Sequence, residues 1–329
     1  NASTWEHAAP DPHWRQPYWT YYNTLSDFVA RTSYLMSQGT HVVDVAVHYP
    51  VVSLLADMDP KNQRPNPNTY MRVSQAIYTA GMDNDIIDDD SILNSRVEDG
   101  KLIAGGNAYQ ALVFGPEHTV RRAVLEKAIA LVQSGGTVLF YGNLPTASTE
   151  DGRDDPKLRT QLQLLLKQEV DQIGSKNIVA QFPNGGTCAY VPRSTKQIPM
   201  LLSKHIDRDF QTTGADIYTA HRRIGDLDVY MLQNALEGES STMEARFRVD
   251  GVPELWDPFT GAVSEVDGFK REEGYTHVSH RLEGNTALCL VFRPGNAQDK
   301  SNAADHAQST PMMLSEDWTF DVIPTRDNH

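Results

Sequence analysis

Apolar residues recur along this chain in two rhythms, and the change from one to the other divides it. Near the middle, Tyr109-Gln-Ala-Leu-Val-Phe114 and Thr137-Val-Leu-Phe-Tyr141 are short, almost unbroken apolar runs bounded by glycine or proline. That is the pattern of parallel strands covered on both faces by helices. Between them Val120, Val124, Leu125, Ala128, Leu131 and Val132 fall at helical spacing up to Gln133, and Gly135-Gly136 stops the helix. A parallel pair needs a crossover of about this length, almost always right-handed, so the stretch predicts the centre of a doubly wound sheet.

The same reading extends both ways. Tyr21, Tyr22, Leu25, Phe28, Val29, Leu35 and Met36 mark one face of an amphipathic helix over 20–38, with Gly39 as its stop. His41-Val-Val-Asp-Val-Ala-Val-His-Tyr49 predicts one strand, the first of the sheet, ending at Pro50. Residues 51–75 form a polar loop rich in Asn and Pro, and Met71 to Ala80 a helix. Ile86-Ile87 predicts a strand edge with a helix-capping Asp after it, and Val97 to Ile103 a hairpin. Beyond a loop from Gly142 to Asp154, Asp155-Pro156 opens a helix carrying Leu158, Leu162, Leu165, Leu166 and Val170. Strands over 177–182 and 188–191 and a helix over 196–204, capped by Ser194, complete an α/β layer fold of flavodoxin-like or amidotransferase-like type. From about Asp216 the rhythm becomes short alternating strands split by Gly, Pro and Asn, that of a β-sandwich. Residues 295–311 read as a linker, and Trp318-Thr-Phe-Asp-Val-Ile323 as a strand of a further unit.

Charge narrows the partners. A net charge of −14 argues against nucleic acid and against anionic membranes. No apolar run approaches the roughly 20 residues of a membrane span. Cys188 and Cys289, far apart in sequence, read as two unpaired buried thiols. Asn1-Ala2-Ser3 is a glycosylation sequon and the one hint of a secreted, extracellular location.

The chemistry usual in such α/β folds is missing. No Gly-x-Gly-x-x-Gly turn follows the first strand, no Gly-x-Ser-x-Gly elbow occurs, and Cys188 lies within a strand rather than at its helical exit. Five carboxylates crowd Asp83 to Asp90, but their spacing departs from the EF-hand calcium template and a capping role accounts for them better. The richer cluster is at the start, where Trp5, Glu6, His7, His13 and Trp14 combine flat apolar faces with hydrogen-bonding groups, as sugar clefts do. Packing at a domain interface explains those residues equally well. Trp256-Asp257-Pro258 with Thr260-Gly261 is a structural turn between sandwich strands.

Several segments, taken in order, resemble one family. Thr4-Trp5, Arg31-Thr-Ser-Tyr-Leu-Met-Ser-Gln-Gly39 and Val43-Asp-Val-Ala-Val47 are similar to the end of the catalytic barrel and the exit strand of the large α-L-rhamnosidases of glycoside hydrolase family 106. Asp85-Ile-Ile87, Gly105-Gly-Asn-Ala-Tyr109 and Leu112-Val-Phe-Gly-Pro116 resemble the amidotransferase-like domain that follows. His221-Arg-Arg223, Asp228 to Asn234, Phe247-Arg248, Glu254 to Pro258 and Thr260-Gly261 resemble the sandwich after it.

The resemblance implies an α/β protein with four parts: residues 1–40 ending a (β/α) barrel with its last helix, a flavodoxin-like parallel-sheet domain over 41–212, a β-sandwich over 213–295, and a linker with the start of a further β domain over 296–329. It implies an internal piece of an enzyme that hydrolyses terminal α-L-rhamnosides by carboxylate acid-base catalysis, retaining or inverting. The catalytic acid and base, and any calcium, would belong to a barrel that is nearly all outside this sequence, so this chain is expected to hold no cofactor or metal and no catalytic residue. Asn1, Trp5 and His7 are the positions the resemblance assigns to substrate binding. The expected partners are a rhamnose-containing carbohydrate and the rest of the enzyme. Two alternatives stand beside it, a non-catalytic scaffold or carbohydrate-binding unit, and a β-galactosidase-like barrel glycosidase, since those enzymes also pair a barrel with an amidotransferase-like domain.

Overall fold

The structure is a computed structural model that describes residue 14 and residues 17–56, 68–213, 217–234, 240–266 and 268–295. Asn84–Ile87, Val45–His48, Ala111–Phe114, Thr137–Tyr141 and Thr187–Val191 lie side by side, all parallel, and Ile178–Gln181 adds an antiparallel edge. In chain order the five parallel strands run 2-1-3-4-5. Alternate residues serve opposite faces, as the pleat requires. Leu112, Phe114, Val138 and Phe140 pack with the helices Arg122–Gln133 and Pro156–Leu166, while Val45, Val47, Val113 and Leu139 pack with Asn68–Tyr78 and Gln197–His205. Leu131, fully buried, contributes roughly 2–3 kcal/mol of transfer free energy, as does each side chain like it.

The central strand-helix-strand unit forms as its periodicity predicts, with two changes, both before the helix. The helix begins at Arg122 because Thr119–Val120 pairs instead with Ala147–Ser148. Gln110 interrupts the first strand, leaving Asn107–Tyr109 in a separate hairpin sheet. Gly136 is obligatory at the helix exit, since a Cβ there would stand 2.4 Å from Leu131 and 2.6 Å from the Gly100 carbonyl. Asp155 caps the next helix, accepting from the Lys157 and Leu158 amides at 2.8 and 3.3 Å, with Pro156 its first residue. The loop before it contains a small hairpin, Ala147–Ser148 with Gly152–Arg153.

Two predictions fail around residue 50. The run 41–49 is two strands: Thr40–His41 pairs with Arg222 and Arg223, and Val45–His48 enters the parallel sheet. Residues 51–75 are not one polar loop. Val51–Ala56 is a helix, and the Ser53 hydroxyl accepts from the His118 and Thr119 amides at 2.9 and 3.4 Å. The following helix begins at Asn68, earlier than predicted. Ser194 also does not cap the Gln197–His205 helix, whose N-cap is Lys196.

Two antiparallel sheets form the second half. Thr40–His41, Ile217–Ile224, Leu227–Asn234, Ala287–Arg293, Val252–Trp256 and Val263–Glu265 make one, and Phe210–Thr213, Ser241–Phe247, Tyr275–Leu282 and Phe269–Glu272 the other. They share a core in which Tyr230 and Phe292 of the first meet Phe247 of the second. The Tyr22–Ser37 helix covers the outer face of the larger sheet with Leu35 and Met36. It is pinned by Arg31, which donates to the Pro258 and Phe259 carbonyls at 3.1 and 2.7 Å, and by Phe28 stacked on Phe259. The Asp257 turn is structural as predicted: its carboxylate accepts from Phe259 N and Thr260 Oγ1. Gly39 ends the helix at φ +59°, and a Cβ there would meet the Arg223 carbonyl oxygen at 1.9 Å.

Candidate functional site

Ligands of an open α/β sheet belong at the carboxyl ends of its strands, so the loops after Tyr49, Phe114 and Tyr141 come first. His48 closes its strand there, Asp89 stands on the short helix capped by Asp88, and Glu117 follows Phe114. His48 Nε2 lies 2.6 Å from Asp89 Oδ1 and Nδ1 lies 3.0 Å from Glu117 Oε1. Arg121 adds a contact of 3.2 Å to Asp89 and one of 2.9 Å to Asp90. Burial disfavours a charged imidazole, but the Glu117 charge and the hydrogen bonds to Asp89 and Glu117 prevail and lift His48 to about 9. The cluster is thus an imidazolium between two carboxylates, with the three side chains 2%, 7% and 1% exposed. Nothing the size of a substrate reaches it. It holds three loops of the carboxyl edge together.

The cysteines are equally closed. Cys188 is fully buried in its strand and Cys289 nearly so; both are unpaired. Burial pushes the Cys188 thiol up beyond the range where a thiolate forms, and raises Cys289 to about 11. A nucleophilic thiolate has neither the charge support nor the access it needs. Both cysteines are therefore expected to resist an aromatic disulfide reagent at pH 8 until denaturant is added. Rapid reaction of either in the native chain would contradict their placement.

A more open site lies between the parallel sheet and the sandwich, a cleft of about 450 Å³ lined by His41, Lys101, Asn107, Gln110, Asp207 and Arg248 among others. His41 Nε2 is 2.7 Å from Asp83 Oδ2 and Nδ1 is 3.3 Å from Asp85 Oδ1. Hydrogen bonds to Asp83 and then Asp85 outweigh partial burial and raise His41 to about 9. Asp85 also accepts from Tyr109 Oη at 2.9 Å and Asn107 Nδ2 at 2.8 Å. In the same cleft Asp44 accepts from Gln110 at 2.7 Å and from Arg248 Nη2 at 2.9 and 3.1 Å. Burial pushes the Asp44 carboxyl up, against the pull of the Arg248 guanidinium. The cleft offers polar contacts, and its carboxylates Asp44, Asp207 and Asp209 lie 2.9, 3.8 and 3.6 Å from Arg248.

The Asp83 to Asp90 crowding resolves the same way. Asp83 and Asp85 hold His41, Asp88 caps its helix by accepting from Ser91 N at 2.8 Å, and Asp89 and Asp90 face Arg121. Among the described residues no three His, Cys, Asp or Glu side chains converge to hold a metal ion. Asn1, Trp5 and His7 lie outside the described residues, as do Glu6, Asp11 and His13. Trp14, Tyr18, Trp19 and Tyr21, just after them, are exposed. Sequence reasoning overlooked His41, His48 and Arg248; the signal for His48 was a lone histidine closing an apolar strand at the sheet's carboxyl edge.

The chain thus joins a helix-covered, mainly parallel sheet to an antiparallel sandwich. The α-L-rhamnosidase family, glycoside hydrolase family 106, matches residues 13–271, and the chain belongs to it. Its structure is similar to that of a rhamnosidase from Novosphingobium sp. PP1Y, with a TM-score of 0.64 and 24% identity, covering 90% of this chain and 27% of that one. It is also similar in fold to a β-galactosidase from Bacillus circulans sp. alkalophilus, with a TM-score of 0.58 and 13% identity over 85% of this chain and 46% of that one. In sequence it is 23% identical, over 284 residues, to a protein of Formosa agariphila named "Putative beta-glucuronidase", covering 84% of this chain and 21% of that protein. The chain therefore spans about a fifth of this curated relative and about a quarter of the rhamnosidase.

Proposed function

We propose that this chain is the supporting portion of an α-L-rhamnosidase-type enzyme, in which a barrel elsewhere in a longer polypeptide carries the carboxylates that hydrolyse terminal α-L-rhamnosides. The family match supports the class. The observation that carries the supporting role is that Asp44, Asp83, Asp85, Asp89 and Glu117 are each engaged by a histidine or arginine of this chain. In this reading residues 41–212 are a flavodoxin-like domain, which the 2-1-3-4-5 strand order supports. Residues 213–295 are the sandwich, and 296–329 a linker leading to a further β unit. Residues 1–40 end the barrel. The exposed Leu25 and Val29 of the Tyr22–Ser37 helix, with the exposed Tyr21 just before it, form a stripe that a barrel would cover. Asn1, Trp5 and His7 would then border the sugar, any calcium would sit in the barrel, and the enzyme would act outside the cell.

The test is release of L-rhamnose from an aryl α-L-rhamnoside by these 329 residues alone and by the longer natural polypeptide. Hydrolysis by the longer form only is expected. Hydrolysis by the short chain would overturn the proposal and return attention to Glu6 and Asp11. The similarity to a β-galactosidase fold makes an aryl β-galactoside the natural second substrate in the same assay.

A further inference from the structure

Where the parallel sheet meets the sandwich, a small cavity of about 20 Å³ is walled by Val43, Val45, Met82, Ile206 and Phe210 together with a few polar groups. Most of these polar groups are satisfied. His221 spends Nδ1 on Asp209 at 3.0 Å and Nε2 on Asp228 at 2.9 Å; the other Asp209 oxygen accepts from Tyr230 Oη at 3.0 Å; Asp44 is held by Arg248 and Gln110. Two are not. Thr219 Oγ1 and Arg208 Nε are both shut off from solvent with no hydrogen-bond partner, and both residues line this cavity. Thr219 as a whole is 6% exposed.

We propose that this cavity is a binding site for a single ordered water molecule, which accepts from Arg208 Nε and donates to Thr219 Oγ1. The volume exceeds the roughly 10–15 Å³ that one water occupies by this measure, and a buried water needs two to four polar partners. Charge decides against the other occupants of that size. The Arg208 guanidinium opposes a monatomic cation, and Asp44, Asp83 and Asp209, which also line the cavity, oppose a halide. A neutral molecule that both donates and accepts suits the pair, and its second hydrogen can turn to a free lone pair of Asp44 or Asp209. The position gives the water a structural task. Arg208 donates through Nη2 to the Ala80 and Gly81 carbonyls at 2.8 and 3.2 Å, next to the parallel sheet, while Thr219 belongs to the sandwich strand Ile217–Ile224. The water would link the two units through groups that otherwise forfeit their hydrogen bonds.

The experiment pairs a crystal structure of the 329-residue chain with Thr219→Val and Thr219→Ser variants. The expected result is one density peak within hydrogen-bonding distance of both Arg208 Nε and Thr219 Oγ1. With the water present, Thr219→Val strips it of a partner, and the melting temperature is expected to fall by roughly 2–6 °C. Thr219→Ser keeps the hydroxyl and should recover part of the loss. If Thr219→Val matched or exceeded the parent, the hydroxyl would be an orphan that valine removes at no cost, and the proposal would fail. An absent peak would sink it too, as would one with anomalous signal after a bromide soak, which would mark a halide site.

Discussion

Exchange of His48 for glutamine is expected to destabilise the chain by about 3 kcal/mol at pH 6, the scale set by breaking a buried ion cluster. The variant leaves Asp89 and Glu117 buried with one neutral amide between them, where the native chain has an imidazolium 2.6 and 3.0 Å away. Its pH dependence is more telling than its size. His48 rises from 6.5 to about 9 on folding, so folding takes up a proton. The resulting stabilisation is complete below about pH 6.5, declines as pH rises, and is lost above about 9; such a shift corresponds to about 3 kcal/mol. Urea midpoints at pH 6 and pH 9.5 should therefore differ strongly in the native chain and much less in His48→Gln. His41, also raised to about 9, and His221, raised against burial by its hydrogen bonds to Asp209 and Asp228, share the slope that remains, and His41→Gln should remove part of it. Equal pH dependence in the native chain and His48→Gln would refute the imidazolium assignment.

Arg248→Met should cost about 2–4 kcal/mol, because it strands a carboxylate at the junction of the two units. Arg248 reaches from the sandwich to Asp44, the residue just before the first parallel strand, with contacts of 2.9 and 3.1 Å, and donates through Nη1 to the Asp207 carbonyl. Asp44 is 12% exposed, and without Arg248 it keeps the Gln110 amide as its side-chain donor. Burial already pushes that carboxyl up, so in the variant it should take up a proton nearer neutral pH. The double variant Asp44→Asn with Arg248→Met removes the stranded charge and should regain most of the loss. The check is a denaturant series on both. If Arg248→Met lay within about 0.5 kcal/mol of the native chain, the pair would count as an ordinary surface bridge.

These two sites show where pattern reasoning stops. The helical spacing from Val124 to Val132, the capping of Asp155-Pro156 and Asp88, and the Asp99-Gly100 turn at φ +49° and +72° are local matters. Each is decided by residues within a turn of one another, and each was legible. The run 41–49 was not, because period-two alternation says which residues face a core but not which strand pairs with them. There the Val42 amide is taken by the His221 carbonyl and the Asp44 carbonyl by the Gln110 and Ala111 amides, so one run feeds two sheets. The Val51–Ala56 helix escaped for a related reason: it is one and a half turns long, too short for a periodic signal, and Ser53 ties it to a loop 65 residues away.

Hydrophobic periodicity, turn residues and composition were enough to establish a parallel-sheet half, an antiparallel half and two buried unpaired thiols, because these follow from what each short segment must bury. The fate of the ionisable groups was settled by the tertiary structure alone. The pairings His41 with Asp83 and Asp85, His48 with Asp89 and Glu117, and Arg248 with Asp44 join residues 41 to 204 positions apart. Whether a carboxylate is a catalyst, a metal ligand or half of an ion pair depends on what stands within about 3 Å of it, and only the tertiary packing brings those partners together.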